Sequence, residues 1–321
     1  LVLTAAMLTT LAAPAFAKTW YIENGDITVK ASGTEGKNTV SQGNKKDVED
    51  TNTIITGTSN QNTVTIETEK KGDKVEVTLK DLNIDASRGS EAAVSVTGSG
   101  NTTIELDGSN TLKGGSQHAG LEHNQTVDGE GNVTSGKLTI QDDNDKAGSL
   151  TATGGSFSAG IGGGSAKAGQ VTITGGTITA IGTDGAGIGG GGGRNGDVTI
   201  SGNAKIENAQ GGYAGSGIGG GYGASGTVTI KDDSTVTATG GEAGAGIGGG
   251  IGGLSDVTIE GNATVNATGG VGSAGIGGGY DAENDDDGTG NKITIKSNER
   301  GAPTVNATGG ESGIDEDTNK E

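Results

Sequence analysis

Tyr222 and Tyr280 each directly follow a Gly-Ile-Gly-Gly-Gly segment, centred on Ile218 and Ile276, and Ile251 holds the equivalent place after the intervening segment at Ile247. If those segments stack, the two rings stand ~10 Å apart on one edge, two strand spacings along the stack. Rings at that interval can pack the apolar C–H faces of sugar residues. Tyr222 and Tyr280, with Tyr213 in the preceding turn, are therefore the candidate carbohydrate-binding residues. The densest acidic stretch, Asp281 to Asp287, begins immediately after Tyr280. Asp281, Glu283, Asp285 and Asp287 could offer carboxylate oxygens to calcium, a hard cation that prefers such donors. An EF-hand is excluded, because Thr294 stands where the bidentate glutamate belongs. Calcium ordering this loop would fix the Tyr280 ring and bridge the chain to acidic glycans such as polygalacturonate.

Other chemistry finds weaker footing. His118 and His123 flank Glu122 around Leu121, but two histidines without an evident third ligand do not make a zinc site. The paired acids Asp142-Asp143 and Asp232-Asp233 follow strands and read as solvated turn residues rather than a general acid and base. Gly187 to Gly192 formally matches G-x-G-x-x-G, yet lies in a glycine repeat without the βαβ context that gives the motif meaning.

Composition bounds what can hold such residues. Glycine supplies 68 of 321 residues, aromatics only 2 % and all hydrophobics 29 %. So few large apolar side chains cannot fill a wide globular core, although they can line a thin one. A formal charge of −19 repels nucleic acid and anionic membrane surfaces and favours cations. There is no cysteine, so neither a disulfide framework nor a thiolate metal site can form. Residues 1–17, an apolar run ending Ala15-Phe16-Ala17, read as a signal peptide truncated at its N-terminus, with cleavage before Lys18. The mature chain is then expected outside the cell, secreted or on the cell surface, with no membrane insertion after cleavage.

The positioning elements come from self-similarity. A-G-I-G-G-G or S-G-I-G-G-G recurs with its isoleucine at Ile161, Ile188, Ile218, Ile247 and Ile276. Between these anchors lie V-T-I runs (Val171 to Ile173, Val198 to Ile200, Val228 to Ile230, Val257 to Ile259). T-h-T-A-T-like runs follow them, at Thr177 to Ala180, Thr235 to Thr239, Thr264 to Thr268 and Thr304 to Thr308. Each period holds three short runs of alternating polarity separated by Gly, Asn or Asp turns, which is strand and turn chemistry without any helical period. Such a unit buries its apolar residues only by stacking on its neighbours, with parallel pairing ~4.8 Å apart. The expected fold is all-β: a right-handed parallel β-helix, three short strands per coil, about nine coils. Residues 18–130 are expected to form an N-terminal cap, placed at Thr19 to Val29, and irregular coils. Residues 131–313 would form glycine-rich repeats, and 314–321 an acidic tail or a truncated next coil.

Val77 to Ala86 (V-T-L-K-D-L-N-I-D-A), the five Ile-centred corners and the T-A-T-G-G runs such as Thr237 to Gly241 resemble a group of Gram-positive surface proteins known as carbohydrate-binding-domain proteins. The resemblance covers nearly the whole mature chain and implies a pectin-lyase-like right-handed β-helix. It also implies an adhesive, non-enzymatic module that binds a polysaccharide or a host or plant glycan, here expected to act as a monomer. The alternatives are a structural stalk and a polysaccharide lyase or hydrolase of the pectinase type. A further alternative, ice binding through the outward Thr235, Thr237 and Thr239, is opposed by Lys205, Glu207, Asn266 and Asn306 in neighbouring coils.

Overall fold

The computed structural model describes residues 18–34, 36–144, 147–283 and 290–311. Residues 1–17, expected as a signal peptide, and those beyond Glu311, with the expected acidic tail, lie outside them. Among the described residues there is no α-helix, only one 3-10 turn at Ile22–Asn24. The rest is a right-handed parallel β-helix with three strand columns per coil.

One ladder displays the whole solid. Ile27, Val64, Val94, Leu121, Ile161, Ile188, Ile218, Ile247 and Ile276 are successive parallel partners, one rung per coil, giving nine coils. Leu121, between the two histidines, is one of these rungs. The V-T-I runs form a second column, in which Ile104, Ile140, Ile173, Ile200, Ile230, Ile259 and Ile295 stack in register. The T-h-T-A-T runs form the third: Val236 on Val265 on Val305, Ala238 on Ala267 on Ala307. Alternation decides which side chains enter. In Thr235–Thr239 the Val and Ala are buried and the threonines face out.

Two findings depart from the sequence reading. Lys18–Tyr21 already pairs with Thr53 to Thr56, and Ile27–Ala31 with Val64 to Glu67, so Thr19 to Val29 are coil rather than cap. The cap is the antiparallel pair Asn38–Gln42 and Lys45–Asp50, which continues the Ile27–Ala31 strand. It brings Val40 into the core, while Asp50 accepts the Trp20 indole N–H at 2.8 Å. The second concerns Glu207. A register shift pairs Thr179 with Asn208 and Ala180 with Ala209, so Glu207 is the bulged residue of its strand and not a member of the outward row. The coils also run without a break across residue 130, since Leu138 pairs with Thr102 on one side of an inserted loop and Leu121 with Ile161 on the other.

Candidate functional site

The site begins with the pinched corner of each glycine-rich coil. The amide two residues before the corner isoleucine donates to the carbonyl two residues after it: Ala186 to Gly190, Ser216 to Gly220, Ala245 to Gly249 and Ala274 to Gly278, at 2.9–3.1 Å. The five-residue segment therefore closes on itself and drives its isoleucine inward. Ile188, Ile218 and Ile247 are fully buried. The flanking chain is left outside as two turns, one before the isoleucine and one after. These turns are joined between coils. The amides of Gly192, Tyr222, Ile251 and Tyr280 donate to the carbonyls of Phe157, Asp184, Ala214 and Ala243 in the coil below. A single edge, stitched by main-chain bonds, runs along the solenoid axis.

That edge carries the tyrosines. Tyr222, Ile251 and Tyr280 occupy one row, as the repeat predicts, two coils apart and hence ~10 Å between the outer positions. Tyr213 lies on the adjoining row and is the most exposed, at 61 %. The Tyr280 ring covers Gly272, occupying the space that a side chain there would need. Sequence reasoning missed Phe157 and Val271, which are exposed on the same turns. Their signal was positional: they stand four and five residues before Ile161 and Ile276, the places that Ala214 and Tyr213 hold before Ile218. Phe157 also adopts φ +59, a conformation unfavourable to a bulky side chain. Half of the exposed large apolar side chains among the described residues (Phe157, Tyr213, Tyr222, Val271, Tyr280) thus share one edge, which argues against random scatter.

Beside the edge runs a groove of about 460 Å³. Its floor is glycine: Gly240-Gly241, Gly269-Gly270 and Gly309-Gly310. The second glycine of each pair is obligatory, since a Cβ on Gly241, Gly270 or Gly310 would collide with the carbonyl of the coil below. One wall is formed by Gln210, Thr239 and Thr268, the rim of the threonine column; Glu242, Val271 and Glu311 form the other. Beyond the rim the column presents in-register polar rows, with Thr235 on Thr264 on Thr304 and Thr239 on Thr268 on Thr308. Hydroxyl and amide groups therefore face Val271 and the carboxylates of Glu242 and Glu311 across a shallow trough, and the Tyr280 ring lies over Gly272 next to Val271.

The expected calcium residues divide. Asp281 and Glu283 are exposed, and Asp281 takes φ +55. Asp285 and Asp287 lie outside the described residues, and among the described residues no three His, Asp or Glu side chains are grouped to hold a metal. The two histidines do separate work. His118 Nδ1 meets Glu122 Oε2 at 2.9 Å, and Glu122 also accepts from the Ala119 amide and Asn124. His123 is buried, with its ring nitrogens 3.1 and 2.9 Å from the Val96 and Gly136 carbonyls. The paired acids are turn fasteners: Asp142 accepts from the Gly148 amide and Asp232 from that of Gly202.

A family model described as beta helix repeat matches residues 146–165, 171–192, 198–222, 228–251 and 257–280. Each matched segment from 171 onward starts at a V-T-I strand and ends at or within four residues of a pinched corner's outer turn, so the matched unit is the coil itself. No curated protein and no solved structure matches the chain.

Proposed function

We propose that this chain is a non-enzymatic carbohydrate-binding or adhesive β-helix module displayed outside the cell, and that it holds a polysaccharide along the tyrosine edge. The observation that carries this reading is the edge on which Phe157, Tyr213, Tyr222, Val271 and Tyr280 are exposed in two adjoining rows beside a glycine-floored groove. A pyranose has apolar faces and a polar rim, and the edge and the threonine wall supply one partner for each. Rigid main-chain stitching holds the rings before any ligand arrives, which lowers the ordering cost of binding. The absence of lysine and arginine from the groove lining, and the presence of Glu242 and Glu311, favour a neutral glycan there.

The test is a glycan array with residues 18–321, followed by titration of the retained polysaccharide against the Tyr222→Ala/Tyr280→Ala variant. Loss of about tenfold or more in affinity at unchanged melting temperature supports the edge, given ~1–3 kcal/mol for each ring stacked on a planar partner. Undiminished retention by that variant would move the reading to a stalk, for which a continuous stack of coils is also suited.

A further inference from the structure

A cleft of about 820 Å³, sharing no lining residue with the tyrosine edge, lies between the cap and the outer face of the V-T-I column. Its floor is made by neighbouring strands in register: Lys74 on Asn101, Glu76 on Thr103 on Thr139, with Lys137 immediately before the strand Leu138–Gln141. Its wall is the cap loop, which contributes Lys37 and Asn38. Asn38 is anchored there by donating to the Glu76 carbonyl at 2.7 Å and to Thr53 Oγ1 at 3.0 Å, so the wall is fixed to the floor.

The charge of this cleft opposes that of the chain. Among the described residues three lysines line it and Glu76 is the single acid, in a protein whose formal charge is −19. Lys37 is held to the exposed Glu49 by a long contact of 3.5 Å, an interaction weak enough to exchange for a better anion. Lys74 and Lys137 lie on either side of Asn101, their backbones two strand spacings or ~10 Å apart, so the lysines can follow successive charges along an extended chain. The adjoining row is Glu76, Thr103 and Thr139. Arginine forks and aromatic rings, which favour phosphate clusters and nucleic-acid bases, are missing from the lining.

The geometry points to a second binding site: this cleft takes an extended acidic polysaccharide, whose carboxylates pair with Lys37, Lys74 and Lys137 while its hydroxyls meet the asparagine and threonine floor. The site stands apart from the tyrosine edge and needs no bridging calcium. An acidic chain that the whole molecule would repel is accepted only where the local field is reversed.

The experiment is affinity electrophoresis of residues 18–321 through polygalacturonate, a neutral glucan and inorganic polyphosphate, with a chelator present. The variants are Lys37→Gln/Lys74→Gln/Lys137→Gln, the same three positions changed to arginine, and Tyr222→Ala/Tyr280→Ala. The expected result is salt-sensitive retardation by polygalacturonate that falls about tenfold or more in the glutamine variant. It survives in the arginine and tyrosine variants. The three lysines are at least partly exposed, so circular dichroism should be unaltered; single Lys137→Gln, with a smaller loss, guards against misfolding of the triple change. No retardation of the wild-type chain, or equal retardation of the glutamine variant, overturns the site. Equal retardation by polyphosphate shows charge attraction alone and overturns its assignment to a sugar. A tyrosine variant that loses the neutral glycan but keeps polygalacturonate separates this site from the edge.

Discussion

The coils on either side of residue 124 have nearly the same length and fill themselves in opposite ways. Val64 to Val94 to Leu121 spans 30 and 27 residues, and Ile188 to Ile218 to Ile247 spans 30 and 29. In the N-terminal coils, Ile84 and Leu112 stand where the later coils have Ala152, Ala180, Ala209, Ala238 and Ala267. The corner column there is a five-residue strand, such as Val64–Thr68, while later it is two residues, such as Ile218–Gly219. The tip glycine lies close against the facing strand: a Cβ on Gly217 would meet the Ala209 carbonyl and one on Gly275 that of Ala267, as one on Gly120 would meet that of Leu112. Glycine on the tip permits that approach, and alanine on the strand leaves the later core the narrower one. What the later coils gain is the outside edge: the chain not used as strand becomes the turns that carry the tyrosines. The early coils keep a wide core, and their continuous strands turn at Asp81 and Gly108, both at positive φ, instead of at glycine pairs.

The comparison can be broken in several ways. Ile218→Asp would place an unpaired carboxylate at a fully buried tip, costing about 4 kcal/mol or more, and amide exchange should accelerate in the adjoining coils. Thr237→Asp on the outer row should change stability by less than ~0.5 kcal/mol. Equal losses would mean that inside and outside are exchanged. Gly241→Ala should cost about 3 kcal/mol, since its Cβ meets the Gly212 carbonyl. Gly223→Ala, in open space at φ +64, should cost only ~1 kcal/mol, and denaturant titration of the pair checks whether close stacking rather than backbone freedom demands the floor glycines.

Volume swaps sharpen the same contrast. Leu112→Ala should lose ~3 kcal/mol through a cavity, and Ala238→Leu ~2 kcal/mol through overpacking, although both stand in one column. A tolerated Ala238→Leu would refute the narrow late core. Trp20→Phe removes the donor to the buried Asp50 carboxylate and should cost ~1–2 kcal/mol, confined to the cap end by amide exchange. The smallest effect concerns Asp85, whose carboxyl is held below its ordinary value by hydrogen bonds from Ser87. Its contribution is present above the ordinary carboxylate range and lost as pH falls through the lowered value; in Asp85→Asn that part of the acid dependence should vanish in an NMR-followed titration.

The architecture was legible because each rung repeats its residue type: valine, isoleucine and glycine recur at a fixed interval, and a period that long admits only stacking. The cap was not, because the pairing of Val29 with Val40 is antiparallel and leaves no periodic trace. The bulge at Glu207 was hidden for a related reason, since an added residue breaks the alternation that reveals strands. Of the edge, the tyrosine row could be read from its place after the corner, whereas Phe157 and Val271 became neighbours only once main-chain bonds joined turns of different coils. The lysine cleft was illegible, because Lys37 reaches Lys74 and Lys137 through the cap.

The four tyrosines provide the most direct measurement of the proposed edge. Tyr21 is exposed at the cap end, and Tyr213, Tyr222 and Tyr280 share the edge. With 3-fluorotyrosine incorporated and each resonance assigned by a Tyr→Phe change, the chain is titrated with a neutral polysaccharide that it retains. The account predicts saturable shifts for Tyr213, Tyr222 and Tyr280 with a common midpoint, while Tyr21 stays fixed. Binding that leaves the three edge resonances in place, or that moves Tyr21 alone, would contradict it.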